Sequence, residues 1–68
     1  MASAITKWQL RRIGARLRSR RAELEQIGEQ LVALDDAPAA EALERHRTHV
    51  LAEVRRLEVR QDELLDRI

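Results

Sequence analysis

Apolar residues recur at alternating spacings of three and four through the first half of the chain. The repeat has eight positions, of which one is polar: Leu10, Ile13, Leu17, Arg20, Leu24, Ile27, Leu31 and Leu34. A strand would alternate apolar and polar residues, whereas this spacing places the apolar positions on one side of an α-helix. Good helix formers occupy most of the remaining positions. The pattern predicts a helix over about residues 4–34.

The second half of the chain carries the same repeat in a new frame. Its positions are Leu43, Arg47, Val50, Val54, Leu57, Gln61, Leu64 and Ile68. The spacing again excludes a strand and predicts a second amphipathic helix over about residues 38–67.

The two frames are separated by the segment LDDAPAAE. Pro38 fits the first turn of a helix but not its interior, and it favours a non-helical conformation for Ala37. Asp35 and Asp36 stand where carboxylates can cap the following helix and complement its dipole. We therefore predict a turn over about residues 35–38, which is short enough to make the two helices antiparallel.

A single register accounts for both repeats. In an antiparallel hairpin the numbers of facing residues have a constant sum, and here the sum is 74 for Leu31 with Leu43 and for Leu17 with Leu57. The predicted fold class is all-α, an antiparallel two-helix hairpin resembling a coiled coil. The predicted packing seam consists of Leu10, Ile13, Leu17, Leu24, Ile27, Leu31, Leu43, Val50, Val54, Leu57 and Leu64.

The size of the chain argues that this hairpin has a partner. A core built from 68 residues rarely supplies more than about 3–5 kcal/mol, and the chain has no cysteine for a disulfide or a thiolate metal site. Leu51 and Leu65 widen the apolar side of the second helix, while Gly14 and Gly28 lie beside the seam on the first. Glycine inside a helix is costly, so this pair suggests that something packs closely against the backbone.

Charges beside the seam support the same expectation. In the predicted register Glu23 faces Glu53 and Arg16 faces Arg60, which brings like charges together. A second hairpin could supply opposite charges. We therefore expect a homodimer that forms a four-helix bundle.

The segment KWQLRRIGARLRSRR is strongly basic, because residues 1–21 hold seven cations and no anion. It offers a candidate partner- or phosphate-binding surface made of Lys7, Trp8, Arg11, Arg12, Arg16, Arg18 and Arg21. Alternatively, acids of the second helix neutralise part of it. In the amphipathic stretch AITKWQLRRIGARL, only Ile5 and Trp8 are large apolar residues not needed for the seam, which disfavours membrane binding. With no membrane-spanning run or signal peptide in the sequence, we expect a cytoplasmic protein.

Candidate chemistry is sparse. His46, His49 and Glu53 share one side of the second helix, but the neighbouring Arg45 and Arg47 disfavour a bound cation. We expect no metal and no cofactor. The sequence also lacks a nucleophile with a histidine partner and a phosphate-binding glycine loop, so we expect no enzymatic activity.

The tip segment LDDAPAAEAL resembles the acidic turn of DksA-like transcription factors, which insert a two-helix tip into the secondary channel of RNA polymerase. The resemblance covers only the turn and its flanks. The chain lacks the cysteines of that family's zinc finger, and its two aspartates are adjacent, so no role transfers to Asp35 or Asp36. The sequence favours a protein that acts through self-association and an adaptor or regulatory role. The alternative is a small nucleic-acid-binding regulator that uses the basic first helix.

Overall fold

The fold is an antiparallel hairpin of two long helices. The structure is a computed structural model, and it describes residues 3–68. Helix α1 spans Ala4–Ala33 and helix α2 spans Ala37–Leu65, with the loop 34–36 between them. The Cα atoms extend over 53 × 14 × 12 Å, as expected for two helices of about 30 residues side by side. This confirms the predicted all-α hairpin.

Helix α1 begins at a capped N-terminus. Ser3 is extended, and its side-chain oxygen accepts a hydrogen bond from the Thr6 backbone N–H at 3.1 Å. This bond satisfies one of the N–H groups that the first helical turn leaves without a partner. The helix ends at Ala33, because Leu34 adopts an extended conformation that starts the loop.

The start of α2 corrects two expectations about the turn. Ala37 is helical, although Pro38 follows it, and the first turn closes through the Ala40 N–H, which donates to the Asp36 carbonyl at 2.9 Å. Pro38 lies in this first turn, where its missing N–H breaks no helical hydrogen bond. Asp36 occupies the N-cap position with an extended backbone, but its side chain makes no capping hydrogen bond.

The core lies along the seam between the helices. Five apolar side chains are buried: Leu17, Ile27, Val50, Val54 and Leu64. Partly buried side chains pack against this cluster: Ile13, Leu24, Leu31, Leu43 and Leu57. Leu10 is partly buried as well.

Both repeats lose their burial where the helices end. Leu34 lies in the loop and is 37% exposed, while Ile68 lies beyond the end of α2 and is 63% exposed. Arg47, a polar position of the repeat, is exposed and pairs with Glu44 of its own helix. Neither helix in residues 3–68 is long and apolar enough to cross a membrane.

Candidate functional site

The seam is bordered by two edges of different composition, which we name by their residues. The ion-paired edge consists of Arg16, Arg20, Glu23, His46 and Glu53. The glycine edge consists of Gly14, Arg21, Gly28, Leu51, Glu58 and Leu65. On α1, Arg16 and Glu23 precede the seam positions of each heptad, whereas the residues of the glycine edge follow them, so helical spacing places the two edges on opposite sides of the seam. Arg20 is itself a position of the seam repeat, and its guanidinium reaches the ion-paired edge.

A continuous chain of hydrogen bonds connects the two helices along the ion-paired edge. The Arg16 guanidinium donates to Glu53 Oε1 at 3.0 Å, and Arg20 Nε donates to the same oxygen at 3.2 Å. Arg20 Nη1 then donates to Glu23 Oε2 at 2.6 Å. The other Glu23 oxygen lies 2.8 Å from His46 Nε2. Each carboxylate therefore has two nitrogen partners.

These contacts change the acidity of the groups that make them. The hydrogen bond with His46, followed by that with Arg20, lowers the pKa of Glu23. Hydrogen bonds from Arg16 and then Arg20 lower the pKa of Glu53. The two carboxylates, Glu23 first, raise the pKa of Arg20. All three shifts favour the charged forms that the geometry shows.

The predicted clash of like charges on this edge is wrong. Arg20 hydrogen-bonds both Glu23 and Glu53, while Arg16 donates to Glu53. Arg60 donates instead to Glu63 of its own helix at 3.2 Å. Arginine side chains are long enough to reach the nearest carboxylate along the edge, so the register of the backbone does not dictate which charges meet. A second hairpin is not needed to balance this edge.

The glycine edge is bridged at its centre and open on both sides. Arg21 Nη2 donates to Glu58 Oε2 at 3.3 Å across the helices. Gly28 and Leu51 lie towards the loop from this pair, and Gly14 and Leu65 lie towards the open end of the hairpin. Leu51 is 38% exposed and Leu65 is 50% exposed. This edge therefore presents apolar surface and bare backbone to solvent.

Nothing in the hairpin packs closely against the two glycines. A Cβ placed on Gly28 would have no neighbouring atom within 4 Å, and one on Gly14 would meet only the Arg18 guanidinium at 3.8 Å. The expected close approach is therefore absent inside the described chain. Neither glycine has a positive φ, so backbone conformation does not require them either.

The seven residues of the predicted basic surface do not form one site. Helical spacing groups Lys7, Arg11 and Arg18 with the glycine edge, and it sets Trp8, Arg12 and Arg16 towards the other edge. Two of the seven are ion-paired to α2: Arg16 to Glu53 and Arg21 to Glu58. Lys7, Arg11, Arg12 and Arg18 form no ion pair with any residue of 3–68. The expected neutralisation by α2 acids is thus partial.

A pocket of about 250 Å³ lies at the open end of the hairpin. Its lining combines three arginines with apolar side chains of the seam: Trp8, Gln9, Arg12, Ile13, Arg16, Leu57, Arg60 and Leu64. The Arg12 guanidinium lies 5.3 Å from the centre of the Trp8 ring, which is cation–π geometry. Arg16 and Arg60, predicted to face each other, both line this pocket, and each has its own carboxylate partner.

His46 hydrogen-bonds Glu23, which the hairpin register places across the hairpin from the side of α2 that carries this histidine. Within residues 3–68 no three His, Cys, Asp or Glu side chains are grouped so that they could hold a metal ion. Sequence reasoning missed the central position of Arg20 in the ion-paired edge. Its spacing of three from Glu23 was the available signal.

Comparison of this chain with protein-family models, with curated proteins and with solved structures finds no match. The two edges and the charges beside them are therefore the features from which a function can be inferred.

Proposed function

We propose that this chain is a non-enzymatic, cytoplasmic helical-hairpin protein that acts through protein–protein association. Its first partner is a second copy of itself, and the resulting four-helix bundle serves an adaptor or regulatory role. The observation that carries the proposal is the exposed glycine edge, where the partly exposed Leu51 and Leu65 lie on the same side of the hairpin as two glycines with open space around them.

The small core supports a partner. Only five apolar side chains are buried in residues 3–68, and a core of this size is marginal alone. Full burial of a leucine side chain is worth about 1.5–3 kcal/mol, so covering the exposed parts of Leu51 and Leu65 in two copies adds a substantial share of the stability of so small a protein.

The contrast between the edges indicates where that partner binds. The ion-paired edge already satisfies its charged groups within the chain. Covering it would desolvate charges without supplying better partners, which is costly. Covering the glycine edge would remove mainly apolar surface from water on both sides of a single ion pair, and this is favourable.

Sedimentation equilibrium over a wide concentration range tests the proposal. We expect a reversible dimer for the wild type and a dissociation constant at least about 100-fold higher for L51E/L65E, because each carboxylate would be buried without a partner. The control is A52E/V59E, which adds the same charge at exposed positions of the outer side of α2. A monomeric wild type, or equal dissociation constants for the two variants, would contradict the proposal.

A second candidate function is nucleic-acid binding, which the free cations Lys7, Arg11 and Arg18 favour. They would contact phosphates and give an affinity that falls steeply with salt. Fluorescence anisotropy with labelled duplex DNA and an RNA hairpin tests this with R11E/R18E against the control R45E/R56E. Salt-sensitive binding lost only in R11E/R18E supports it, and equal binding by both variants rejects it.

A further inference from the structure

All cations of α1 precede its anions. Residues 4–21 hold seven cations and no anion, whereas residues 22–33 hold three anions and no cation. On the side of the glycine edge, a second repeat of three and four runs along α1: Lys7, Arg11, Gly14, Arg18, Arg21, Glu25, Gly28 and Val32. In residues 3–68, Arg11, Arg18 and Glu25 form no ion pair.

When two copies of this repeat lie antiparallel, residues of opposite charge face each other. If α1 lies antiparallel on a second α1 with Arg21 at the centre, Arg18 faces Glu25 of the second copy. Gly14 then faces Gly28 of the second copy, and the Arg11 guanidinium reaches its Glu29. At the centre Arg21 faces Arg21 of the second copy, but each is ion-paired to Glu58 of its own chain. A parallel alignment would also set Arg18 on Arg18 and Glu25 on Glu25, which have no partners in residues 3–68 and would repel.

Helix α2 carries the same arrangement on the same face. Its repeat is Leu51, Arg55, Glu58, Asp62 and Leu65, and reversal about Glu58 sets Leu51 on Leu65 and Arg55 on Asp62. Arg55 and Asp62 have no ion-pair partner among the described residues. The two centres are not level, because the register of the seam sets Arg21 level with Glu53, about five residues from Glu58, and the Arg21–Glu58 hydrogen bond joins the ends of two long side chains. One twofold axis therefore cannot reverse both repeats, and α1, which carries more charges without a partner in residues 3–68, defines it.

A self-complementary surface of this kind is what a twofold axis requires, since each contact then occurs twice. Gly28 of one copy would lie against Gly14 of the other, and this contact would occur twice in the dimer. Neither residue has a side chain that would hold the two α1 helices apart, so their backbones can approach closely.

Building on the proposed self-association, we propose that the second copy binds antiparallel, with the glycine edge of its α1 against the glycine edge of the first α1. The twofold axis passes beside Arg21. The occupant of the glycine edge is thus this chain itself, recognised by reversed charge and by glycines that allow close approach.

Charge reversal tests the pairing. R11E/R18E and E25R/E29R should each self-associate at least about tenfold more weakly than the wild type at low salt, because their facing charges become alike. An equimolar mixture should form a heterodimer about as tight as the wild-type dimer, since every reversed charge then meets an opposite one. The control R45E/R56E changes net charge equally and should dimerise like the wild type.

Thiol crosslinking tests the orientation. Gly14→Cys chains mixed with Gly28→Cys chains should crosslink with a short bifunctional maleimide, whereas either variant alone should not. In the antiparallel dimer, identical positions lie 14 residues apart along the helix axis, or about 21 Å. Crosslinking of each variant with itself would indicate a parallel dimer and overturn the inference.

The outcomes separate this inference from the function on which it rests. If the wild type stays monomeric, both the proposed self-association and the antiparallel arrangement are wrong. If the wild type dimerises but the charge-reversed mixture shows no preference for the heterodimer, only the antiparallel arrangement is wrong.

Discussion

The two edges of the hairpin differ in how completely the chain satisfies them. Along the ion-paired edge, five side chains form hydrogen bonds from Arg16 to His46, and both carboxylates have two partners. Along the glycine edge, a single pair, Arg21 with Glu58, crosses between the helices. The leucines on either side of it remain half exposed.

This difference separates a surface that makes contacts within the chain from a surface that remains available to another molecule. Side chains of the ion-paired edge join α1 to α2 of the same chain and help to define their alignment. The glycine edge contributes little inside the chain, and in the proposed dimer its charges without a partner among residues 3–68 would pair with the second copy. Under that proposal, a tertiary contact and a quaternary contact are encoded by two heptad repeats on the same helix.

The largest effect should follow from a substitution in the seam, on which both edges depend. Leu17 is 2% exposed, and Leu17→Ala leaves a cavity in the centre of the buried cluster. We expect a loss of about 2–5 kcal/mol in the free energy of unfolding, measured by urea titration followed by circular dichroism. In a hairpin this small, that loss should leave much of the chain unfolded in dilute solution.

The exposed Val59→Ala is the matched control for the seam. Val59 is 58% exposed, so its truncation should change the free energy of unfolding by no more than about 0.5 kcal/mol. Similar losses for Leu17→Ala and Val59→Ala would show that the seam does not hold the helices together.

An intermediate effect, with a sign that depends on concentration, should follow from Gly28→Ala. In dilute solution the methyl group meets nothing in the hairpin, and alanine should stabilise the helix by about 1 kcal/mol. In concentrated solution the same methyl group should weaken the dimer by about 1–3 kcal/mol, because it enters a packed layer. Thermal unfolding at two concentrations measures both effects.

A control for helix propensity is Ala22→Gly, at an exposed position of α1 outside both edges. It should destabilise the helix by about the same amount at both concentrations. If Gly28→Ala stabilised the protein equally at both concentrations, the glycine edge would not be a packing surface.

The sequence predicted the hairpin because apolar spacing and Pro38 act locally and strongly. The seam and its register follow from the same repeat, and the structure buries or partly buries every residue assigned to it. The conformation of Ala37 was not predictable in this way, since a bias against helix before proline competes with closure of the first turn by Ala40.

The pairing of charges was predictable only in part. Residue numbers place Glu23 near Glu53, but the rotamers of Arg16 and Arg20 decide that both carboxylates receive cations. Sequence spacing does not fix those rotamers, because arginine has many of similar energy. The second repeat along α1 was present in the sequence, yet only the absence of partners in the hairpin distinguishes it from an ordinary solvated face.

The smallest effect should come from acid titration of the ion-paired edge. The pKa values of Glu23 and Glu53 are lowered in the folded chain, so their contribution is complete above the unfolded carboxyl pKa of about 4.3. This contribution to the free energy of unfolding is lost as the pH falls through the lowered pKa values that the two carboxyls have in the folded chain. In dilute solution the free energy of unfolding should therefore decline below about pH 4, and this part of the decline should be absent from E23Q/E53Q.

The matched control is E25Q/E29Q, which removes two carboxylates that form no ion pair among residues 3–68. In dilute solution the free energy of unfolding of E25Q/E29Q should depend on pH as in the wild type. In concentrated solution this variant should form a weaker dimer. Salt at about 1 M should reduce both effects, since these groups are partly exposed and screened. If E25Q/E29Q abolished the acid dependence of the monomer as fully as E23Q/E53Q, the two edges would not divide intrachain from interchain charge pairing as their geometry indicates.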